Sequence, residues 1–369
     1  MARDRSDPTP AVPLRAVIQG GTFLSEQDDN KRFGYYKDGF SAAKPILRSG
    51  RQRQNMSPTT SARFHYRLGA NQPADSATAR RLAEMAAAIE RDTDGEFRLD
   101  VFPESRLGPD PRMFADLRGG ALEFYLSGAL LGGVAPTSAL PMLPFAFRDS
   151  RTVFAALDGA LGDRIRGELA TAGLYAFRRL WQNGFHHMTT DVRPIETAAD
   201  FAGLKIRTPG GEIAADFFRT LGAEAGMVPF SGMYDALKAK TFDGQSDPLG
   251  VVLSLRLYQV QRYLSLTAHW WTGFTLLANA AAWNALPAEI RTVVERAAEA
   301  AALAQRDDIE TVNAAGAAAL ARHGMVVNTA DSGSIQARLG DFYARWRARF
   351  DPAAWALLDA ETGGLPGCR

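Results

Sequence analysis

Residues 200–248 read DFAGLKIRTPGGEIAADFFRTLGAEAGMVPFSGMYDALKAKTFDGQSDP, and the order of elements in this stretch decides the fold. Gly203-Leu204-Lys205-Ile206-Arg207 alternates apolar and charged residues, the pattern of a short strand, and runs into the turn Pro209-Gly210-Gly211. Glu212–Leu221 then reads as a helix, and Tyr234–Lys240 as a second, shorter one. Strand, turn and helix in that order make half of a βαβ unit. In open α/β sheets the ligand crevice lies beyond the carboxyl ends of the strands, and Arg207 sits at such an end. Its guanidinium is a planar fork of donors that fits a carboxylate with two bonds at once. The ordinary alternative for an arginine is a surface ion pair of small worth.

The same rhythm continues on both sides. Phe64, Tyr66 and Leu68 alternate with polar residues as a strand. Leu82, Met85, Ala86 and Ile89 share one face of a helix that Asp75 or Ser76 caps and Gly95 ends. Phe97, Leu99 and Val101 alternate again up to Pro103, followed by a helix over Pro111–Gly119 and a strand over Leu122–Leu126. This βαβαβ order predicts an α/β fold with mixed or parallel sheets. Further on, the pattern predicts helices over Ser150–Leu157 and Gly162–Thr171, and strands over Leu174–Trp181, Leu264–Thr267 and Phe274–Ala278. Pro287–His323 contains one breaker, Gly316, and predicts a helix of roughly 55 Å that can bridge two lobes. Ile335, Leu339, Phe342 and Trp346 predict a last amphipathic helix over Ser334–Phe350.

Composition limits the function. Lys+Arg is 42 against Asp+Glu 41, and a net charge of +1 argues against a nucleic-acid binder, which is usually strongly basic. The single cysteine, Cys368, excludes an internal disulfide and a cysteine-based zinc or iron–sulfur site. No run reaches the ~20 apolar residues of a membrane span, since Ala129–Leu143 is interrupted by Gly132, Gly133 and Pro136. The phosphate loop, the dinucleotide fingerprint, the nucleophile elbow and the H-E-x-x-H pattern are all absent. His186 and His187 are adjacent, and neighbours on a strand point to opposite faces, so they do not make a metal pair. The reading is a chain with no catalytic apparatus, no metal and no cofactor.

Several ordered motifs carry a family resemblance. Asp200–Pro248 is similar to the run D-x-x-G-L-K-I-R-x-P, L-G-A, P-F-S, A-L, D-G-Q-x-x-P of the DctP-type solute receptors of tripartite ATP-independent periplasmic (TRAP) transporters. Val101-Phe102-Pro103 to Gly108, Leu140–Phe145, Arg193-Pro194-Ile195, and Val260–Thr267 with His269 resemble that family's flanking motifs in the same order. The match spans about Phe64 to Phe350.

The resemblance implies a two-lobed, periplasmic-binding-protein-like α/β fold of type II character, with mixed sheets, hinge strands and a long helix spanning both lobes. Its lobe pattern puts lobe I at 62–184 with 274–311 and lobe II at 185–273 with 312–350, leaving 1–61 as an atypical or disordered leader and 351–369 as a C-terminal tail. It implies an organic-acid ligand clamped by Arg207 in the inter-lobe cleft and delivered to the small and large TRAP membrane subunits by a monomer. Neither nucleic acid nor direct membrane insertion is involved. Location in the periplasm is implied as well, although residues 1–61 carry no legible export signal. A ligand-sensing module serving a signalling partner, or an enzyme on the same fold, remain the alternatives.

The further site residues also come from the resemblance. Asp247 stands where many members have an asparagine that hydrogen-bonds the ligand. It either accepts from a ligand hydroxyl or amine or pairs with Arg207. His187 falls where some members carry a second arginine, and Asn71 where some have a polar contact. Phe230, Trp270, Trp271 and Trp181 belong either to the pocket wall or to the core. The small apolar stretch Ser127–Leu131 together with these aromatics predicts a monocarboxylate with an apolar or aromatic body, such as an aromatic or a 2-oxo or 2-hydroxy acid.

Overall fold

A computed structural model describes residues 62–128, 130–208 and 210–365. The leader expected over 1–61, Ala129, Pro209 and Cys368 lie outside the described residues.

The chain alternates as its pattern predicts. It opens with β1 (Phe64–Gly69), α1 (Ala77–Asp92), β2 (Phe97–Phe102), α2 (Asp110–Gly119) and β3 (Phe124–Ser127). Next come α3 (Ser150–Asp158), α4 (Ala160–Thr171), β4 (Leu174–Ala176), β5 (Trp181–Phe185) and β6 (His187–Thr190). The deciding stretch forms β7 (Lys205–Thr208), α5 (Glu212–Thr220), β8 (Glu224–Met227), α6 (Met233–Lys238) and β9 (Gly244–Asp247). The remainder is α7 (Leu249–Ser254), β10 (Tyr263–Leu266), β11 (Trp271–Asn279), α8 (Ala280–Asn284), α9 (Ala288–Arg322), β12 (Val326–Thr329), α10 (Ser332–Arg338), α11 (Phe342–Arg347) and α12 (Pro352–Thr362).

Two mixed sheets make two lobes. The first has the order β2-β1-β3-β11-β4, with β5 also on β11, and the second has the order β12-β10-β6-β9-β7-β8. Two of the chain's crossings between them run directly from strand to strand. From β5 it passes through His186 into β6, and from β10 it returns through Thr267–Trp270 into β11. These two crossings are the covalent hinge.

The third bridge is α9. Its 35 residues give a rod of about 52 Å. Ile290, Val294, Ala298 and Ala302 pack with Leu68, Phe97 and Phe124 of the first sheet. Leu320 packs with Leu249, Val252 and Leu264 of the second lobe. Gly316 permits that docking, because a Cβ there would lie 2.5 Å from Leu249 Cβ. Polar ties fix the middle of the rod. Gln305 accepts from Gln182 N at 2.8 Å and donates to Gln182 O at 2.7 Å, so its amide acts as a strand partner for β5. Arg306 grips both oxygens of Asp158 at 2.8 Å and donates to Leu180 O at 2.8 Å.

Three expectations change. The strand expected over Leu174–Trp181 divides into β4 and β5, because Leu180 O is taken by Arg306 and Arg179 turns to Asp158 and Glu299 at 2.8 and 2.9 Å. The helix expected over Ser334–Phe350 divides at Gly340, whose φ of +55° is left-handed and ends α10 before α11 begins. Residues 352–362, within the stretch assigned to a tail, form α12, which buries Trp355 and Leu358 in the core.

Candidate functional site

The site is assembled at strand ends. Arg207 is the third of four residues in β7, and Asp247 is the last residue of the neighbouring β9. β7 and β9 run parallel with Arg207 beside Gln245, so both carboxyl ends point the same way. β6 runs antiparallel to β9 and sets His187 opposite Asp247. Three of the expected site residues therefore meet on three adjacent strands.

Arg207 is wholly buried, at 0% exposure. Its Nε donates to Val228 O at 2.9 Å, and its Nη1 reaches Asp247 Oδ2 at 3.5 Å, the outer limit of a hydrogen bond. Its Nη2 is buried with no hydrogen-bond partner among the described residues. A buried donor without a partner is costly and rare, so the third prong of the fork is set for an acceptor. Burial holds the guanidinium below its ordinary value, while Asp247 and Asp110 act in the opposite sense.

Asp110 comes from the first lobe, and sequence reasoning misses it. It is the first residue of α2, and its Oδ1 accepts from Tyr125 Oη at 2.6 Å and from Asn71 Nδ2 at 2.9 Å. Asn71 Oδ1 in turn accepts from Gln72 Nε2. Gln72 Oε1 is buried and has no partner among the described residues. Asn71 thus joins the site through Asp110. Asp110 is the first-lobe residue whose charge acts on Arg207, and it carries the polar pair Asn71 and Gln72 with it.

The aromatics disperse. Phe230 packs against the core beside α6 and α7. Trp181 lies in the core of the first sheet with Phe124, Phe177 and Leu276. Trp271 meets Phe154 edge-on at 5.7 Å. Trp270 sits at the hinge, 4.2 Å from the His269 ring and 5.1 Å from Phe217 between centroids. The structure brings Arg207, Asp247, His187 and Asn71 toward one place, sets Trp181 and Trp271 in core packing, and leaves Phe230 part-buried against a core edge.

Behind the site the crossings are locked by polar side chains. His186 Nδ1 donates to Ser246 O at 3.0 Å, and its Nε2 accepts from Thr272 Oγ1 at 2.7 Å. His269 holds Ser246 Oγ at 2.9 Å and Thr267 Oγ1 at 2.7 Å. His187 Nδ1 accepts from Ala268 N at 3.2 Å, which leaves its ring proton on Nε2. Ser246, next to Asp247, is therefore tied to both crossings.

Burial pushes His186 down to about 3 and His187 down to about 4, and holds His269 well below the ordinary imidazole value. A histidine lowered by folding is neutral in the native state and charged in the unfolded chain below about 6.5. The unfolded state then binds more protons, so stability falls as pH falls. Asp247, raised to about 7, acts in the opposite direction over the same window, as one group against three. Urea unfolding of the unliganded protein is expected to show stability dropping steadily from pH 6.5 to 4.5. A flat or rising profile would contradict neutral, buried hinge histidines.

Among the described residues no group of three or more His, Cys, Asp or Glu is placed to hold a metal ion, and no helix is long and apolar enough to cross a membrane.

Comparison with known proteins places this geometry. The profile of bacterial extracellular solute-binding protein family 7 (DctP) matches residues 68–348. The 2,3-diketo-L-gulonate-binding periplasmic protein YiaO of Escherichia coli K12 is 34% identical over 219 residues, 59% of this chain and 66% of that one. The chain thus spans just under two thirds of that relative's length. A TRAP periplasmic solute-binding protein from Polaromonas sp. JS666, solved with D-erythronate bound, superposes with a TM-score of 0.77 at 30% identity, covering 80% of this chain and 98% of that one. The sugar-acid-binding protein DctPAm from Advenella mimigardefordensis DPN7T, solved with galactonate, gives a TM-score of 0.79 at 27% identity, covering 82% and 99%. Each of these is a binding protein rather than an enzyme. With the family profile running from β1 to the end of α11, this chain belongs to the bacterial extracellular solute-binding proteins of family 7.

Proposed function

We propose that the chain is the extracytoplasmic solute receptor of a TRAP transporter, working in the periplasm and passing an organic acid to the transporter's membrane subunits. Arg207 clamps the acid's carboxylate between the lobes. The observation that carries this reading is the fully buried fork of Arg207, with Nη2 lacking a partner among the described residues at a strand end that faces the other lobe. The polar set Asp110, Asn71 and Gln72 supports a hydroxylated body for the acid, since carboxylate and amide oxygens accept from hydroxyls. The similar proteins described with D-erythronate and galactonate support the same class. Closure is a hinge motion about the two crossings and α9, driven by contacts the acid makes in the closed form only.

The test is to denature the purified protein and identify the released small molecule by mass spectrometry. Refolded protein is then heated with that molecule. The expected result is a hydroxy acid with at least one carboxylate. At one hundred times its Kd it stabilises by about 2.7 kcal/mol, raising Tm by roughly 5 °C. A neutral sugar or an amine as the stabilising molecule would overturn the reading.

A further inference from the structure

Asp247 does not fit a simple anion clamp. Arg207 carries one positive charge, and an ionised Asp247 already balances it. Both side chains are buried, Arg207 at 0% and Asp247 at 5% exposure, on neighbouring strands. Bringing a ligand carboxylate to Arg207 then leaves the enclosed site with two anions on one cation, and Asp110 acts on the same guanidinium from the first lobe. Burying an unbalanced charge is strongly unfavourable. The Asp247–Arg207 contact is also loose at 3.5 Å, and Arg207 Nη2 has no partner among the described residues. The pair is poised to separate when a better acceptor arrives.

We infer that Asp247 takes up one proton from solvent as the acid binds, so that its neutral carboxyl donates a hydrogen bond to the ligand while Arg207 turns wholly to the ligand carboxylate. This deepens the carboxylate-receptor reading and rests on it. The proton returns to solvent when the ligand leaves, and no bond other than O–H is made or broken.

The surroundings leave Asp247 as the group that titrates in the working range. Burial raises its carboxyl to about 7 before any ligand arrives. A ligand anion beside it raises it further, by like-charge repulsion. From β6, His187 faces it and is held down to about 4. His186 and His269, which reach Asp247's neighbour Ser246, are pushed down to about 3 and well below the ordinary value. All three imidazoles are thus neutral from pH 6 upward. From α2, Asp110 already accepts from Tyr125 and Asn71, so its role is that of a standing acceptor.

The sign follows from linkage. Between the free and the bound value of Asp247, the complex holds a proton that the free protein lacks, so affinity falls by about tenfold per pH unit as pH rises. Asp247→Asn keeps the shape and a hydrogen-bond donor and cannot ionise. It is expected to remove the slope and to bind more tightly than the unaltered protein at pH 9.

The experiment is calorimetric titration of the full chain with D-erythronate, galactonate and D-glucuronate from pH 6 to pH 9, in two buffers of different ionisation enthalpy. These acids ionise at roughly 4, as ordinary carboxyls do, and so contribute no titration of their own. Expected are an uptake near one proton per ligand at pH 8.5, a falling affinity above pH 7.5, and neither effect in Asp247→Asn. Asp110→Asn is expected to keep the slope. Tight binding with a flat pH profile, or a slope that follows Asp110 instead, would overturn the proton coupling and leave the carboxylate reading intact. Failure of the unaltered protein to bind any of the three acids would overturn that reading, and the coupling with it.

Discussion

Arg207→Ala is expected to weaken binding of the acid by roughly 30-fold to several thousand-fold, with the ligand-induced rise in Tm largely lost. The size follows from burial. Removing one partner of a buried, hydrogen-bonded charge pair costs about 2–5 kcal/mol or more, and the guanidinium has 0% exposure. Three contacts change together. Val228 O loses its donor at 2.9 Å, Asp247 loses its cationic partner at 3.5 Å, and the ligand carboxylate meets Asp247 and Asp110 without the Arg207 charge between them. Asp247 is expected to stay protonated in the variant, because the Arg207 charge is what lowers it. The variant should therefore fold. Arg207→Lys is expected to recover part of the affinity, since an ammonium keeps the charge and loses the two-pronged fit. Calorimetric titration at pH 6.5 reads both variants, with far-ultraviolet circular dichroism to establish folding. Affinity in Arg207→Ala within tenfold of the unaltered protein would remove Arg207 from the binding role.

Trp270→Ala is expected to be the most destabilising single change at the hinge. The indole has 2% exposure and is enclosed by His269, Phe217, Phe218 and His186, with ring centroids 4.2, 5.1, 5.6 and 5.7 Å away. Truncating a buried tryptophan costs about 3–5 kcal/mol in lost transfer energy and residual cavity, or a fall in Tm of roughly 10 °C. The main-chain bond from His186 N to Trp270 O at 2.8 Å joins the two crossings and is kept in the variant, so the loss reads the ring alone. Trp270→Phe fills much of the space and is expected to lose less than half as much. Urea unfolding with an unchanged m-value is the measurement. A loss under 1 kcal/mol in Trp270→Ala would mean that the hinge repacks freely and that this ring does not hold it.

Arg207 is legible in the sequence because strand alternation stops at a Pro-Gly-Gly turn immediately after it, and strand ends carry ligands in α/β sheets. The long helix is legible for a plainer reason, since Pro287–His323 offers one breaker and that glycine is needed for contact with Leu249. Asp110 is not legible. An acidic residue at a helix start reads as a favourable partner of the helix dipole, and only tertiary folding turns it toward Arg207. β9 is hidden for a related reason. Gly244-Gln245-Ser246-Asp247 is polar throughout and yet entirely buried, so it shows no alternation. Its cost is met by neighbouring strands and by pairs such as Gln245 Nε2 to Thr189 Oγ1 at 3.0 Å. The tryptophans show the opposite limit. Composition counts the aromatics but does not say that Trp181 and Trp271 close two different cores.

Crystallising the chain with its acid tests the clamp most directly. The carboxylate is expected within hydrogen-bonding distance of Arg207 Nη2, between Asp247 on one lobe and Asp110 on the other. An acid bound elsewhere, with Arg207 still facing only Asp247 and Val228, would contradict the clamp.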